Sequence, residues 1–337
     1  MILEEDIKRL KEKKKKQKEI TENISSKNPN ELDSIINSLE LPEWVLSYAL
    51  THHSPSQLNS PDDTWGYKYL ELTAKERAAL DGNSKMSAGI GIGYAMNLVY
   101  TDWLWDGLSK TKCRDYKNDK LYVKKAIEKA LTAYRNYKPV NEKDAESFTW
   151  NIQGFVLTFD QLTKAFKEIP IKGETHSEKT ASLFLPGCTL PTIGRLDLET
   201  EDLFIEVKSK WRRRTGKPRS DGTMAHSIVR LELTPEWINQ VAFYYAATKK
   251  TPYLVAVHEN EYKIWHPGNC ELLQPDHLES CIEDMASIAR RRERMMKRHA
   301  GKKTWVQDIQ PNFKHPYFWN IGGDHKEKAI KLWKKYS

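Results

Sequence analysis

The chain has 337 residues, 39% of them hydrophobic and 30% charged, and its 54 Lys and Arg exceed its 46 Asp and Glu to leave a formal net charge of +8. That length can bury a large core in one or two domains, and the positive excess fits a polyanionic partner as well as it fits simple solubility. The absence of any apolar run of roughly eighteen residues and of a leader pattern argues against a spanning helix or secretory signal, and four scattered cysteines argue against a disulfide scaffold, so a soluble, cytoplasmic protein is expected.

Residues 1–24 are dominated by Lys, Glu and Gln, with an unbroken Lys13–Lys16 run, and read as an exposed helix or arm; Ser25 to Glu31 is a polar linker. Residues 32–50 look helical with a break near Leu41-Pro42. Helices are predicted over 74–110, bent at its glycines, and over 119–138, with Phe155 to Phe166 continuing a helical layer. Strands follow at Thr192 to Leu198 and Leu203 to Lys208. Thr234-Pro235-Glu236 then opens a helix with threonine as N-cap and proline in the first turn. Tyr253 to His258 and Tyr262 to Trp265 form a further strand pair, a long helix starts near Leu278, and an aromatic tail runs from Pro311 to Trp319. The expected organisation is a charged helical extension over 1–45, a mainly helical part over 46–175, and a core with a C-terminal helix and aromatic tail over 176–337. The fold class is α/β, with helices around one central sheet.

The chemistry concentrates at 192–208. Glu199-Thr200-Glu201-Asp202 suits a hairpin loop. Folding it so that Leu198 faces Leu203 puts Asp197 opposite Phe204 and diagonal to Glu206. Strand side chains alternate, so Asp197, Glu206 and Lys208 share one face while Ile205 and Val207 point into a core. A solvated polar face would carry the same pattern. On the following helix Gln240 and Tyr244 are four apart and lie on one face. Just past Lys208 come Lys210, Trp211, Arg212, Arg213, Arg214, Lys217 and Arg219, a loop suited to gripping phosphates, with Trp211 free to stack on a base. For a second basic cluster, Arg290 to Arg298, phosphate contact and a solvated helix face remain equally open.

Gly194-Arg195-Leu196-Asp197, Glu206-Val207-Lys208 and Gln240 with Tyr244, in this order, resemble the motifs of the PD-(D/E)XK nuclease superfamily, in its RecB-type branch marked by Gln-x-x-x-Tyr. Ser54-Pro-Ser56-Gln-Leu58-Asn, followed by Trp65-Gly-Tyr67-Lys-Tyr69-Leu, is similar to the branch's entry segment. The likeness spans roughly residues 50 to 265. It implies a restriction-endonuclease-like core with a mixed sheet, and a Mg²⁺- or Mn²⁺-dependent DNA nuclease. Asp197 and Glu206 would be metal ligands, joined by a backbone carbonyl of Ile205 or Val207. Lys208 would orient the attacking water, and Gln240 and Tyr244 would brace the site. Two departures stand out. Gly93 and Asn97 occupy the positions of a histidine and a glutamate found in many relatives, which leaves Glu178 as the candidate replacement ligand or as an ordinary surface residue. Cys113, Cys188, Cys270 and Cys281 also lack the spacing of the iron–sulfur cluster some relatives carry, so no cluster is expected. The resemblance implies an exonuclease of the kind phages use, acting in the host cytoplasm in replication or recombination, with DNA as partner and further proteins in such a complex. Two alternatives are a structure-specific or restriction-type endonuclease and a decayed subunit that only binds DNA.

Overall fold

The computed structural model describes residues 41–337 apart from 49, 81–82, 106–109, 113–119, 219–223, 228, 315–318 and 320–323. The arm at 1–24, its Lys13–Lys16 run, the linker, most of the 32–50 segment, Cys113 and Arg219 lie outside the described residues.

Asn83 accepts a hydrogen bond from the Met86 amide and opens α1 (Ser84–Tyr100). The predicted helix over 74–110 does not continue past Tyr100. Thr101 turns extended (φ −105°, ψ 128°), and the chain enters a strand, β1 (Trp103–Trp105). The reason is a pairing the sequence cannot display. The Asp102 amide donates to the Thr175 carbonyl (3.0 Å) and the Thr175 amide to Asp102 Oδ2 (2.8 Å), which fastens this segment beside the strand that begins at His176. β2 (Lys110–Lys112) pairs antiparallel with β1. Next come α2 (Lys120–Arg135) and α3 (Glu142–Glu168), the latter capped by Asn141 and extending the expected 155–166 segment in both directions.

The remaining strands are β3 (His176–Ser177), β4 (Lys179–Leu183), β5 (Thr192–Leu196), β6 (Leu198–Glu199), β7 (Leu203–Ser209), β8 (Arg213–Pro218) and β9 (Met224–Ser227). After α4 (Pro235–Thr248) they are joined by β10 (Thr251–Val257) and β11 (Tyr262–Trp265), which pair antiparallel as expected. The helix expected near Leu278 begins earlier, as α5 (Pro275–His299), and α6 (His325–Tyr336) closes the chain. Thr234 takes the predicted N-cap place before α4, but its side chain makes no capping bond.

Among the described residues the central sheet is seven-stranded, in the order β11-β10-β7-β6-β3-β1-β2. It is mixed: β7 and β10 run parallel through the α4 crossover, β1 and β3 are also parallel, and the other pairs are antiparallel. Helices cover both faces. On one, Ile205, Val255 and Val257 pack with α1–α3; on the other, Phe204 and Leu254 pack with α4 and α5. Fully buried side chains such as Ile205 and Phe204 contribute about 1.5–3 kcal/mol each. No helix of the described residues is long and apolar enough to cross a membrane.

A third cluster holds the N-terminal segment against α5. Ser54 caps the short Pro55–Leu58 helix. The fully buried Arg292 donates to Asp62 Oδ1 (2.9 Å) and to the Gln57 (2.8 Å) and Ser60 (2.5 Å) carbonyls, with its guanidinium 4.5 Å from the Trp65 ring centroid. Trp65, Trp305, Trp319 and Trp333 fill the space around it, so the described part of the aromatic tail serves as core.

Candidate active site

The site forms where the sheet forks. The β3–β4 and β5–β6 segments run antiparallel to one another, and both are interrupted at the same level, one at Glu178 and the other at Asp197. His176 pairs with Glu199 below the break and Lys179 with Leu196 above it. Glu178 is in the left-handed region (φ 56°), a conformation costly for a residue with a Cβ, and its amide donates to the Leu196 carbonyl (2.9 Å). The left-handed residue turns β4–β5 out of the sheet toward α4. Below the fork the sheet continues through β6 to β7. Glu178 and Asp197 meet in the crotch, beside the end of β7 that β6 leaves uncovered.

The hairpin between β6 and β7 is tighter than the four-residue loop read from the sequence. Leu198 pairs with Ile205 and Glu199 with Phe204, not Leu198 with Leu203. Thr200 joins the pairing through its amide bond to the Leu203 carbonyl (2.8 Å), and its hydroxyl accepts from the Asp202 (3.3 Å) and Leu203 (3.2 Å) amides, leaving Glu201-Asp202 as the turn. Asp197 is therefore level with Glu206, not diagonal to it. The correction is a shift of two residues, which preserves the facing of every side chain.

Four predicted residues form one hydrogen-bonded chain. Lys208 Nζ donates to Glu206 Oε1 and to Gln240 Oε1, each at 2.6 Å; Gln240 Nε2 reaches the Tyr244 hydroxyl (3.3 Å), which donates to the Arg195 carbonyl (2.5 Å). Gly194 makes this approach feasible, because a Cβ there would lie 2.9 Å from the Tyr244 ring. Asp197 Oδ2 accepts from the Val207 amide (2.7 Å). A strand residue presents its N–H and C=O on the same edge, so the Val207 carbonyl also faces the fork. Asn97, buried on α1, brings Nδ2 to 3.5 Å from Glu178 Oε1. Nothing in the motif pattern singles out Asn97 as a partner for Glu178; α1 had to be docked first.

The charges are frustrated. Loss of hydration deep in the fork, then the neighbouring Glu206 carboxylate, raises the Asp197 carboxyl well above the ordinary range against the pull of Lys208 and the Val207 amide. Burial likewise raises Glu206, opposed chiefly by Lys208. The Tyr244 hydroxyl is pushed well up by burial and by the Glu206 charge, so it stays protonated and can donate. Glu206 Oε2 and Asn97 Oδ1 are among the buried atoms that make no hydrogen bond. Among the described residues no three His, Cys, Asp or Glu groups are drawn together tightly enough to hold an ion as they stand. Lys208 engages one Glu206 oxygen and the Val207 amide one Asp197 oxygen. The donor set nevertheless fits a hard divalent cation. It offers carboxylate and amide oxygens, excess buried negative charge and unsatisfied acceptors at one place.

A fourth acid at the fork is committed elsewhere. Glu199, 1% exposed, receives Lys179 Nζ at 2.5 Å and Lys250 Nζ at 3.1 Å, and Lys250 also donates to the Thr200 carbonyl.

The basic stretch after Lys208 departs from its reading. It is largely an antiparallel hairpin, β8–β9, not an open loop. Trp211 is 7% exposed and stacks with Phe155 (6.2 Å between centroids), so it is not free to stack on a base. Arg212 gives Nε to both oxygens of Glu259 (2.8 and 2.9 Å), a pair with little solvent contact, and Arg214 lies 3.6 Å from Glu146. Arg213 is exposed. Lys210 projects on the Lys208 side, its ammonium 4.4 Å from the Trp237 ring centroid. Lys217 contributes backbone to β8, and Arg219 lies outside the described residues. In the second cluster, Arg290, Arg291, Arg292 and Arg298 are paired with Glu283, Asp62 and Asp308. Of the cysteines, Cys188, Cys270 and Cys281 are free thiols.

No protein-family model, no curated protein and no solved structure matches this chain.

Proposed function

We propose that the chain is a Mg²⁺- or Mn²⁺-dependent DNA nuclease of the PD-(D/E)XK type, with the forked sheet as a restriction-endonuclease-like core and exonucleolytic digestion as its first-choice activity. The observation that carries this reading is the placement of Lys208 between Glu206 and Gln240, with Asp197 level with Glu206 and Glu178 across the fork. A structural ion pair needs one acid for one lysine. Here the acids outnumber the lysine in a buried place, an arrangement that costs stability unless a further cation joins it.

Asp197, Glu206, Glu178 and the Val207 carbonyl would hold the cation, which supplies Lewis-acid polarisation of the scissile phosphate and acidifies a water molecule. The residues of the chain do the rest. Glu206 and Gln240 hold the Lys208 ammonium, so it reaches the reacting centre from a fixed direction. There it orients the incoming water and offsets charge growing on the phosphate oxygens. Gln240 is itself held by Tyr244, which is anchored to the Arg195 carbonyl beside Asp197, so the bracing helix and the ligand strand move as one piece. Water attacks phosphorus, one phosphorus–oxygen ester bond breaks, and the leaving oxygen takes a proton. Lys210 and the exposed Arg213 supply phosphate contacts outside this centre.

End-labelled linear DNA and closed circular DNA, each incubated with Mg²⁺, Mn²⁺ or chelator, test the proposal. Metal-dependent loss of linear DNA alone is expected. Cutting of circles would make the enzyme an endonuclease, and binding without cutting would reduce it to a DNA-binding subunit. Lys208→Ala should abolish cleavage yet bind DNA in chelator like the parent; cleavage at the parental rate would remove Lys208 from the chemistry.

A further inference from the structure

Helix α1 carries Gly89, Gly91 and Gly93 in its interior, and each such glycine costs about 0.5–1 kcal/mol of helix stability relative to alanine. Two have a packing reason. A Cβ on Gly91 would lie 2.9 Å from the Phe155 ring, and one on Gly89 would lie 3.1 Å from Ser209 Oγ. A Cβ on Gly93 would meet nothing within 4 Å. Close packing therefore accounts for the first two glycines and not for the third.

The surroundings of Gly93 indicate what the space is for. One turn before it, Gly89 abuts Ser209, the residue after Lys208. One turn after it, on the same helix face, Asn97 reaches Glu178 in the fork. Gly93 is bracketed by these two contacts, so the bare stretch of helix faces the line from Glu178 to Lys208. Two acceptors of the neighbouring fork, Asn97 Oδ1 and Glu206 Oε2, are buried without hydrogen-bond partners. Opposite stands α4, with Gln240 on Lys208 and Trp237 under Lys210.

We infer that Gly93 is a clearance residue: the sugar–phosphate backbone of the DNA strand being cut lies against bare helix at this position. The inference rests on the nuclease reading and adds where the substrate runs. The scissile phosphate sits between the acids and Lys208, and the adjoining sugar occupies the volume that any side chain at position 93 would fill. Asn97, one turn further along the helix, stays on Glu178 through Nδ2. Gly93 touches no reacting atom, so its effect is on the placement of the strand.

Gly93→Ala and Gly93→Leu in the full chain test this, with three readouts: thermal melting, Mn²⁺ binding by calorimetry without DNA, and steady-state cleavage with DNA binding in Ca²⁺. Both variants should melt at or above the parental temperature, because the site is open and helix propensity improves. Mn²⁺ affinity should stay within about twofold. Cleavage should fall by roughly tenfold for alanine and about 10²-fold for leucine, the loss expected when a substrate is displaced by about 1 Å, with DNA affinity falling in parallel. A leucine variant that binds and cuts DNA as the parent does overturns the inference. Loss of Mn²⁺ binding in either variant also overturns it, because the space would then belong to the cation. If the parent neither binds nor cuts DNA with any divalent metal, the nuclease reading fails first and carries this inference with it, a result the variants alone do not produce.

Discussion

Replacing Asp197 by asparagine should move stability and activity in opposite directions. The side chain keeps its size, and its carbonyl can still accept from the Val207 amide now 2.7 Å away. Its new amide hydrogens face a neighbourhood in which Glu206 Oε2 has no donor. What disappears is a charge that burial and Glu206 oppose. Because the folded-state pKa of Asp197 is raised above its unfolded value, the native state binds more protons than the unfolded state between the two values. Stability associated with this group is thus present below the unfolded value, near pH 4, and is lost as pH rises through the folded one. At neutral pH the parent bears this penalty and Asp197→Asn bears none. Glu206 keeps Lys208 as partner in either case. Each kcal/mol regained raises the melting temperature by about 2–4 °C in a chain of a few hundred residues. Melting curves in chelator at several pH values are the assay. Asp197→Asn should melt above the parent at pH 7, the gap should close toward roughly pH 4, and metal-dependent cleavage should fall by more than about 10²-fold, beyond what loss of a group supporting a metal ligand costs. A variant that melts lower at pH 7, or whose advantage is unchanged at low pH, would refute the claim that this carboxylate is held against its own hydration.

Cation binding should release protons and weaken as pH falls, because the Asp197 and Glu206 carboxyls are both raised and must ionise to take a cation; calorimetry in buffers of different ionisation enthalpy reads the released protons, and an affinity independent of pH would contradict it. Arg212→Ala should destabilise the fold by about 2–4 kcal/mol by stranding the buried Glu259, whereas the exposed Arg213→Ala should leave melting unchanged and flatten the salt dependence of DNA binding by about one counterion. The reverse assignment would return Arg212 to the DNA path. Arg292→Ala should cost about 3–5 kcal/mol, since the Gln57 and Ser60 carbonyls lose their donor together and Asp62 is left with Arg291 alone; denaturant unfolding with a change below about 1 kcal/mol would show that the N-terminal segment is held by its aromatic packing alone.

The shared facing of Asp197, Glu206 and Lys208 was legible because side-chain alternation in strands is local. The Gln240–Tyr244 pair was legible for the same reason on a helix. The hairpin register was misread because Thr200 uses its hydroxyl to make the turn, a side-chain contribution that residue counting does not detect. Trp211 and Arg212 looked like DNA contacts because composition registers charge and aromaticity but not burial, and the partners that bury them, Phe155 and Glu259, are remote in sequence. The end of α1 and the strand at 103–105 depend on Thr175, more than seventy residues away. Glu178 was readable as a candidate but not as a hinge, since a left-handed glutamate has no local signature.

The doubly clamped Glu199 separates a rivet from a ligand. It is also a carboxylate, two residues beyond Asp197, yet two ammonium groups already pair with it. By fixing Lys179 and Lys250 across the foot of the fork, Glu199 ties three segments together just beneath the reactive acids. The architecture divides labour between neighbouring carboxylates: one is neutralised permanently so that the prongs keep their spacing, and the others stay undercompensated so that something can come and go.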